Sequence, residues 1–378
     1  MSNARKLADN LPSEGQLSNR NILINGKFEV DQRHGFASHT VSAGSDFFAD
    51  RWGFYTDSNA IAQYGATTQV VSDGPTGFEK SLKWTTTSAG TVPATSEVLF
   101  RQKIEGYNIN QVDYGTSNAK ELTLSFYVKS SVAGNYGFTC WFNDSGGTNR
   151  YILRSYTINS ANTWEYKTIS IPANTANALG KKTNLDGMHL NWDLGEGATY
   201  SGNVTGNWQS TYVNGLTGGV KIANNNGATW QITGAQLEVG SQSTPFEHEP
   251  YETTLRKCQR YYSKIVGPLD AHPCWTYGSV ASTQVTLPAQ MRVIPAVTFT
   301  GSTASNTNNA VTADNFSMYS ASAWKGTNNS GVTYGGTGSS SVQSIRINTY
   351  VYSAFIRDGV SAGLYMGANC SMNADAEL

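Results

Sequence analysis

The sequence predicts an all-β protein: a jelly-roll β-sandwich, a short helix, and a second, smaller C-terminal β domain. Short runs in which apolar and polar residues alternate recur from Asn21 to about Glu247, the period of half-buried antiparallel strands. Gly fills 38 of the 378 positions and clusters with Asn, Asp and Ser between those runs, as turns require. Only one stretch carries a convincing helical period.

In chain order, residues 1–22 are polar, broken by Pro12 and Gly15, and show no strand alternation. They are expected to form an N-terminal arm. Residues 23–248 hold the sandwich. Leu122, Leu124, Phe126 and Val128 alternate with Thr123, Ser125, Tyr127 and Lys129 in one strand. Residues 136–142 and 150–158 flank the turn-rich NDSGGTN and are expected to pair as a hairpin. In TWQITGAQLEV, Trp230 and Ile232 share one phase and Leu237 and Val239 the other, so a bulge is expected at Gly234. Residues 249–266 read as a helical connector: Leu255, Cys258, Tyr262 and Ile265 fall at helical spacing across 251–265, with Pro250 before and Gly267-Pro268 after. Strands are expected at 281–287, 293–299, 342–350 and 352–357 of the domain 267–378, with aromatic-bearing ordered loops across 300–341.

Composition excludes several classes. Lys+Arg number 26 and Asp+Glu 27, a net charge of -1, so no basic excess exists to displace counterions from phosphates. No nucleic-acid partner is expected. Charged residues make 14% of the chain against about 25% in an average globular protein, while hydrophobic ones make 39%, enough to bury a core. No run approaches the ~18 apolar residues of a membrane span, so no membrane insertion is expected. Residues 1–22 lack a signal-peptide apolar stretch. The four cysteines, Cys140, Cys258, Cys274 and Cys370, form no C-x-x-C pair and read as free buried thiols, although Cys258 and Cys274 could pair.

Catalytic motifs are weak. NDSGG at Asn143–Gly147 is turn chemistry rather than a nucleophile loop, since neither His34 nor His39 sits in a protease context. Asp186, Asp193 and Glu196 cluster, as a glycoside hydrolase would need, but no motif marks a site and capping turns and holding strand ends accounts for them better. GGTG at Gly335–Gly338 lacks the strand–loop–helix frame of a nucleotide site. The five histidines share no ligand spacing. Aromatic residues are more telling, because sugar C–H faces pack on their rings while amides and carboxylates bond hydroxyls. Trp192, Tyr200, Trp208 and Tyr212 lie in a Gly/Asn-rich segment, and Trp275, Tyr277, Tyr319, Trp324 and Tyr334 lie in the C-terminal domain. Core packing is the alternative for each of them.

Several phrases resemble virion appendage proteins of tailed bacteriophages, in particular tail-fibre and receptor-binding proteins. They are ARKLADNLPSEGQLSNRNILING (Ala4–Gly26), FFADRW (Phe47–Trp52), YTINSANTWEYKTISIP (Tyr156–Pro172), Trp230–Ile265, and LPAQMRVIPAVTF (Leu287–Phe299). The resemblance implies a non-enzymatic structural protein located in the virion and assembled in the host cytoplasm. It implies an arm docking on other virion proteins of tail or capsid, through Arg5, Lys6, Leu7, Leu11 and Leu17. It also implies a homotrimer packed about the helix of Leu255, Cys258, Tyr262 and Ile265, and attachment to a host-surface glycan or protein. A capsid-attached fibre or decoration protein and a glycan depolymerase are the alternatives. The sandwich also resembles carbohydrate-binding jelly rolls: NILINGKFEV (Asn21–Val30) is similar to their first strand and AQLEV (Ala235–Val239) to their last. That likeness nominates Glu29 for a structural calcium site, but Gln236 stands where the last strand would carry an aspartate. No other cofactor is expected.

Overall fold

The computed structural model describes residues 18–266 and, beyond them, 269–271, 275–277, 280–300, 317–320, 323–326, 328–334, 344–350, 363–366 and 371–378. The arm residues Arg5, Lys6, Leu7, Leu11 and Leu17 lie outside them, as do Cys274, Cys370 and the strand expected at 352–357. The chain divides into two compact units, one reaching Thr254 and one spanning Leu255–Glu377.

In the first unit the alternating runs become strands β1 (His39–Thr40), β2 (Gly44–Ala49), β3 (Trp52–Thr56), β4 (Gly65–Val71), β5 (Ser81–Ser88), β6 (Val98–Glu105) and β7 (Leu122–Ser130). They continue as β8 (Gly134–Asn143), β9 (Asn149–Ile158), β10 (Glu165–Ile171), β11 (Asp186–Asp193), β12 (Ser201–Gly202), β13 (Gly215–Leu216) and β14 (Thr229–Val239). Two six-stranded antiparallel sheets form a jelly-roll sandwich: β1-β4-β5-β14-β7-β10 and β2-β3-β6-β11-β8-β9.

The inward residues of both sheets make one aromatic core. Phe100 on β6 meets Trp230 on β14 at 5.4 Å between ring centroids, and Phe126 on β7 meets Trp192 on β11 edge-on at 5.7 Å. Trp52 stacks on Phe100 with planes 8° apart. Each such pair adds about 0.5–1.5 kcal/mol beyond the area it buries.

The expected hairpin forms between β8 and β9. Asp144 closes it: its Oδ1 accepts from the Gly146 and Thr148 amides, each at 2.9 Å, and its Oδ2 from Arg150 Nε at 2.7 Å. The bulge forms too. The β14–β7 register shifts between Thr233 and Gln236, and Gly234 sits at φ +61°, where a side chain would be strained.

Asn21–Val30, expected as a first strand, contains no strand. Asn25 and Phe28 take φ values of 60° and 56°, outside the extended region. Side-chain bonds hold this shape: Asn25 Nδ2 donates to the Val30 and Asp50 carbonyls at 2.8 and 3.0 Å, and Trp52 Nε1 to those of Ile24 and Asn25. Thus the NILING and FFADRW phrases fasten each other.

The expected 251–265 helix covers only Tyr251–Gln259. Tyr262 and Ile265 lie instead on a strand, Tyr262–Val266, paired with Ser371–Asp375. Cys258 is buried and Leu255 half-buried on the helix. Sequence spacing could not reveal a partner strand more than a hundred residues away. Among the described residues of the second unit, Ser371–Asp375 also pairs with Ala296–Thr300, and two four-stranded sheets are present. One orders Leu269–Ala271, Gly363–Met366, Ser317–Ser320 and Ala323–Gly326; the other orders Trp275–Tyr277, Val280–Thr286, Ser344–Tyr350 and Asn328–Tyr334. Tyr319, Trp324, Tyr334 and Trp275 therefore lie on strands rather than loops, and Tyr319 and Trp324 are register partners. No helix among the described residues is long and apolar enough to cross a membrane.

Candidate functional site

The strand pleat builds an outward-facing row on the second sheet. Lys103 on β6, His189 on β11, Trp141 on β8 and Tyr151 on β9 are successive cross-strand partners, so their side chains share one face. A second row beside it runs Arg101, Asn191, Thr139 and Leu153. The 194–221 connection, with the short parallel pair β12–β13, lies against this face: Val213 buries with Tyr151 and Leu153, and Trp141 and Leu216 pack against them.

That connection brings Tyr200 and Tyr212 to the sheet. Tyr212 meets Tyr151 edge-on at 5.3 Å and Tyr200 at 5.1 Å, and is 41% exposed. Its hydroxyl donates to Glu97, and the Asn214 amide donates to Glu97 Oε1 at 3.1 Å and to the Tyr212 hydroxyl at 2.8 Å. Burial, reinforced by Glu97, raises the Tyr212 phenol above its ordinary pKa. At the other end, the Arg101 guanidinium lies 4.7 Å from the Tyr55 ring centroid and donates to Ser45 Oγ at 2.6 Å. The face thus alternates aromatic rings with fixed amide, carboxylate and guanidinium groups.

His189 stacks on Trp141 at 3.8 Å between centroids, and its Nε2 lies 3.1 Å from Asp186 Oδ2; Lys181 bonds the other oxygen at 2.7 Å. Burial depresses His189 to about 4 despite Asp186. Asp186 is itself held below the usual carboxylate range, because the His189 and Lys181 bonds outweigh its own burial.

The acidic cluster is turn architecture. Asp193 is fully buried and accepts from the Gly195, Glu196 and Leu216 amides and from Lys221 Nζ at 2.7 Å. Those four donors leave it no exposed lone pair for a cleft. Glu196 bonds the Val98 amide at 3.1 Å, and burial, with Asp193 and Glu97 nearby, pushes its carboxyl well up.

The candidate aromatics divide. Trp192 is a correction: its side chain is 0% exposed at the centre of the core, among Trp52, Phe100, Phe126 and Phe138, so no glycan reaches it. Its alternation with Met188 and Leu190 was the sequence signal for this. Trp208 packs against the core beside Tyr114 and Phe142 and donates to the Pro172 carbonyl, which leaves it a wedge rather than a platform. Tyr200 and Tyr212 come together at the face. Side chains of Trp275, Tyr319, Trp324 and Tyr334 are outside the described residues. Sequence reasoning passed over Trp141, Tyr151, Arg101 and His189; the strands were legible, and the outward phase opposite Cys140, Ile152 and Leu190 could have found three of them.

Glu29 pairs with Lys27 at 2.8 Å, and Gln236 is buried in bonds to Glu238 and to the Glu247 amide. Among the described residues no three His, Cys, Asp or Glu side chains converge as a metal site.

No family model matches the chain, and no curated protein matches its sequence. Several solved structures align with part of the chain. An enzymatically active domain of bacteriophage CBA120 tailspike protein 4 aligns over 58% of this chain and 21% of its own, at 14% identity and a TM-score of 0.29. A xylan-binding domain from Paenibacillus barcinonensis aligns over 55% and 96%, at 11% identity and 0.28. A family 11 carbohydrate-binding module from Clostridium thermocellum, in complex with a β-1,3-1,4-mixed-linked tetrasaccharide, aligns over 54% and 100%, at 13% identity and 0.27.

Proposed function

We propose that this protein is a non-catalytic adhesin that binds glycan on the outer face of its second sheet. We place it in a tailed-phage virion as a homotrimeric tail-fibre or receptor-binding appendage. The observation that carries the glycan reading is the exposed Tyr212 ring beside the part-exposed Tyr200, seated edge-on over buried Tyr151 with part-exposed Trp141 next to it, and edged by Glu97 and Arg101. Apolar rings for C–H faces beside bonded polar groups for hydroxyls are the pairing that sugar recognition needs. The virion placement is supported by the phrases from Ala4 to Ile265, and multivalency makes it effective: a site with Kd near 1 mM is worth about -4 kcal/mol, and linked copies raise avidity by roughly 10²–10⁴.

The test is binding of the full chain to immobilised glycans and host cells. Tyr212→Ala is expected to weaken retention about tenfold, equivalent to about 1.4 kcal/mol. Absence of binding to every glycan tried, or full retention by a Tyr200→Ala/Tyr212→Ala double variant, overturns the reading. Light scattering after size exclusion tests the trimer, which a clean monomer at micromolar concentration excludes. Release of reducing sugar from host polysaccharide would favour a depolymerase instead.

A further inference from the structure

The 194–221 connection also walls a cavity of about 250 Å³. Val92 and Leu216 give it an apolar side, while Glu196, Ser201, Lys221 and Asn224 line it with polar groups. Two facts distinguish it from a gap in packing. Glu196 is 2% exposed, and while its Oε1 bonds the Val98 amide, its Oε2 has no partner among the described residues. Second, donors remain around the cavity. Lys221 Nζ donates to Asp193 at 2.7 Å and to Ser201 at 3.5 Å, leaving a third N–H. Asn224 accepts from the Val92 amide through Oδ1, and its Nδ2 has no acceptor among the described residues.

The charge balance narrows the ligand. Asp193 neutralises Lys221, burial favours the protonated form of Glu196, and Glu97 is the remaining acid acting on it. An anionic ligand would meet no uncompensated cation there. The size suits one sugar ring, and β12–β13 joins the cavity to the Tyr200–Tyr212 face, since Ser201 and Gly215 pair directly beside it.

We infer that this cavity holds a single neutral sugar ring, so that the protein grips its glycan by a chain end whose following units cross Tyr200 and Tyr212. The inference rests on the glycan-binding reading above and specifies how the chain is engaged. A terminal ring seats there with its linkage leading out across the face, so short branches and termini are preferred over long unbranched chains.

Ligand-observed NMR on the full-length protein tests it, with glucose, galactose, mannose and N-acetylglucosamine as probes and glucuronic acid as the anionic comparison. At least one neutral sugar is expected to saturate at millimolar concentration and glucuronic acid is not. Ala198 and Thr217 line the cavity and are solvent-exposed, so Ala198→Trp or Thr217→Trp fills it with little risk to folding. Either variant is expected to abolish free-sugar binding and to weaken polysaccharide binding at least tenfold, whereas Tyr212→Ala weakens the polysaccharide and spares the free sugar. Failure of all four neutral sugars, preference for glucuronic acid, or unchanged free-sugar binding in both filled variants overturns the inference. If polysaccharide binding survives filling but falls with Tyr212→Ala, the cavity role fails and the face stands; the converse result removes the face and keeps the cavity.

Discussion

The His189 imidazole lies against the Trp141 indole with ring centroids 3.8 Å apart, while Asp186 holds its Nε2 from the side. Burial, helped by the nearby Lys103 charge, keeps this ring neutral in the fold, with its pKa depressed from 6.5 to about 4. The unfolded chain therefore takes up the proton first, and stability falls as pH drops from about 6.5 to about 4. The full effect is on the order of 3 kcal/mol, at about 1.4 kcal/mol per pKa unit. Asp186, shifted down, adds its own loss on further acidification, below its unfolded value of 3.8. Thermal melts between pH 7 and pH 4 are expected to show a steep decline in the native protein and a shallower one in His189→Gln; identical profiles would refute this.

Gly234 carries the bulge of β14 at φ +61°, and a Cβ there would lie 2.7 Å from the Phe78 ring. Gly234→Ala is expected to lower stability by about 1–3 kcal/mol through backbone strain and the ring clash. Urea unfolding measures it, and a change under about 0.5 kcal/mol, the scale of an ordinary surface substitution, would refute it.

Trp192 belongs to the core. Truncation to Ala is expected to cost about 3–5 kcal/mol of stability. In the conservative Trp192→Phe variant glycan affinity should stay within twofold. A selective loss of affinity in a stable Trp192→Phe protein would return this residue to the binding surface.

Asp144 satisfies two turn amides and Arg150 at once. Asp144→Ala is expected to cost about 2 kcal/mol, the sum of lost charge-assisted bonds partly regained by water. Asp144→Asn, which keeps an acceptor, should lose about half as much. Equal stability of all three proteins in chemical denaturation would contradict that account.

Where local pattern and local structure coincide, the sandwich is legible from sequence: β7 keeps Leu122, Leu124, Phe126 and Val128 buried, and β14 changes phase at Gly234. Legibility ends where side chains from elsewhere decide. Asn25 and Trp52 impose a non-strand path on the apolar NILING segment, and Tyr262–Val266 leaves the helical period because Ser371–Asp375 offers it a ladder. The candidate face was half legible for a related reason. Tyr200 and Tyr212 sit in a polar stretch that advertises exposure, whereas Trp141 and Tyr151 are embedded in strands whose apolar text reads as core.

Strand β14 closes the first unit in sequence yet occupies an interior place in its sheet, between β5 and β7. On the ribosome, some two hundred residues must emerge before this keystone arrives, so the nascent sandwich waits with its inner surfaces bare. A chain ending before Thr229 would lack the strand that joins β5 to β7, leaving the first sheet split across its middle.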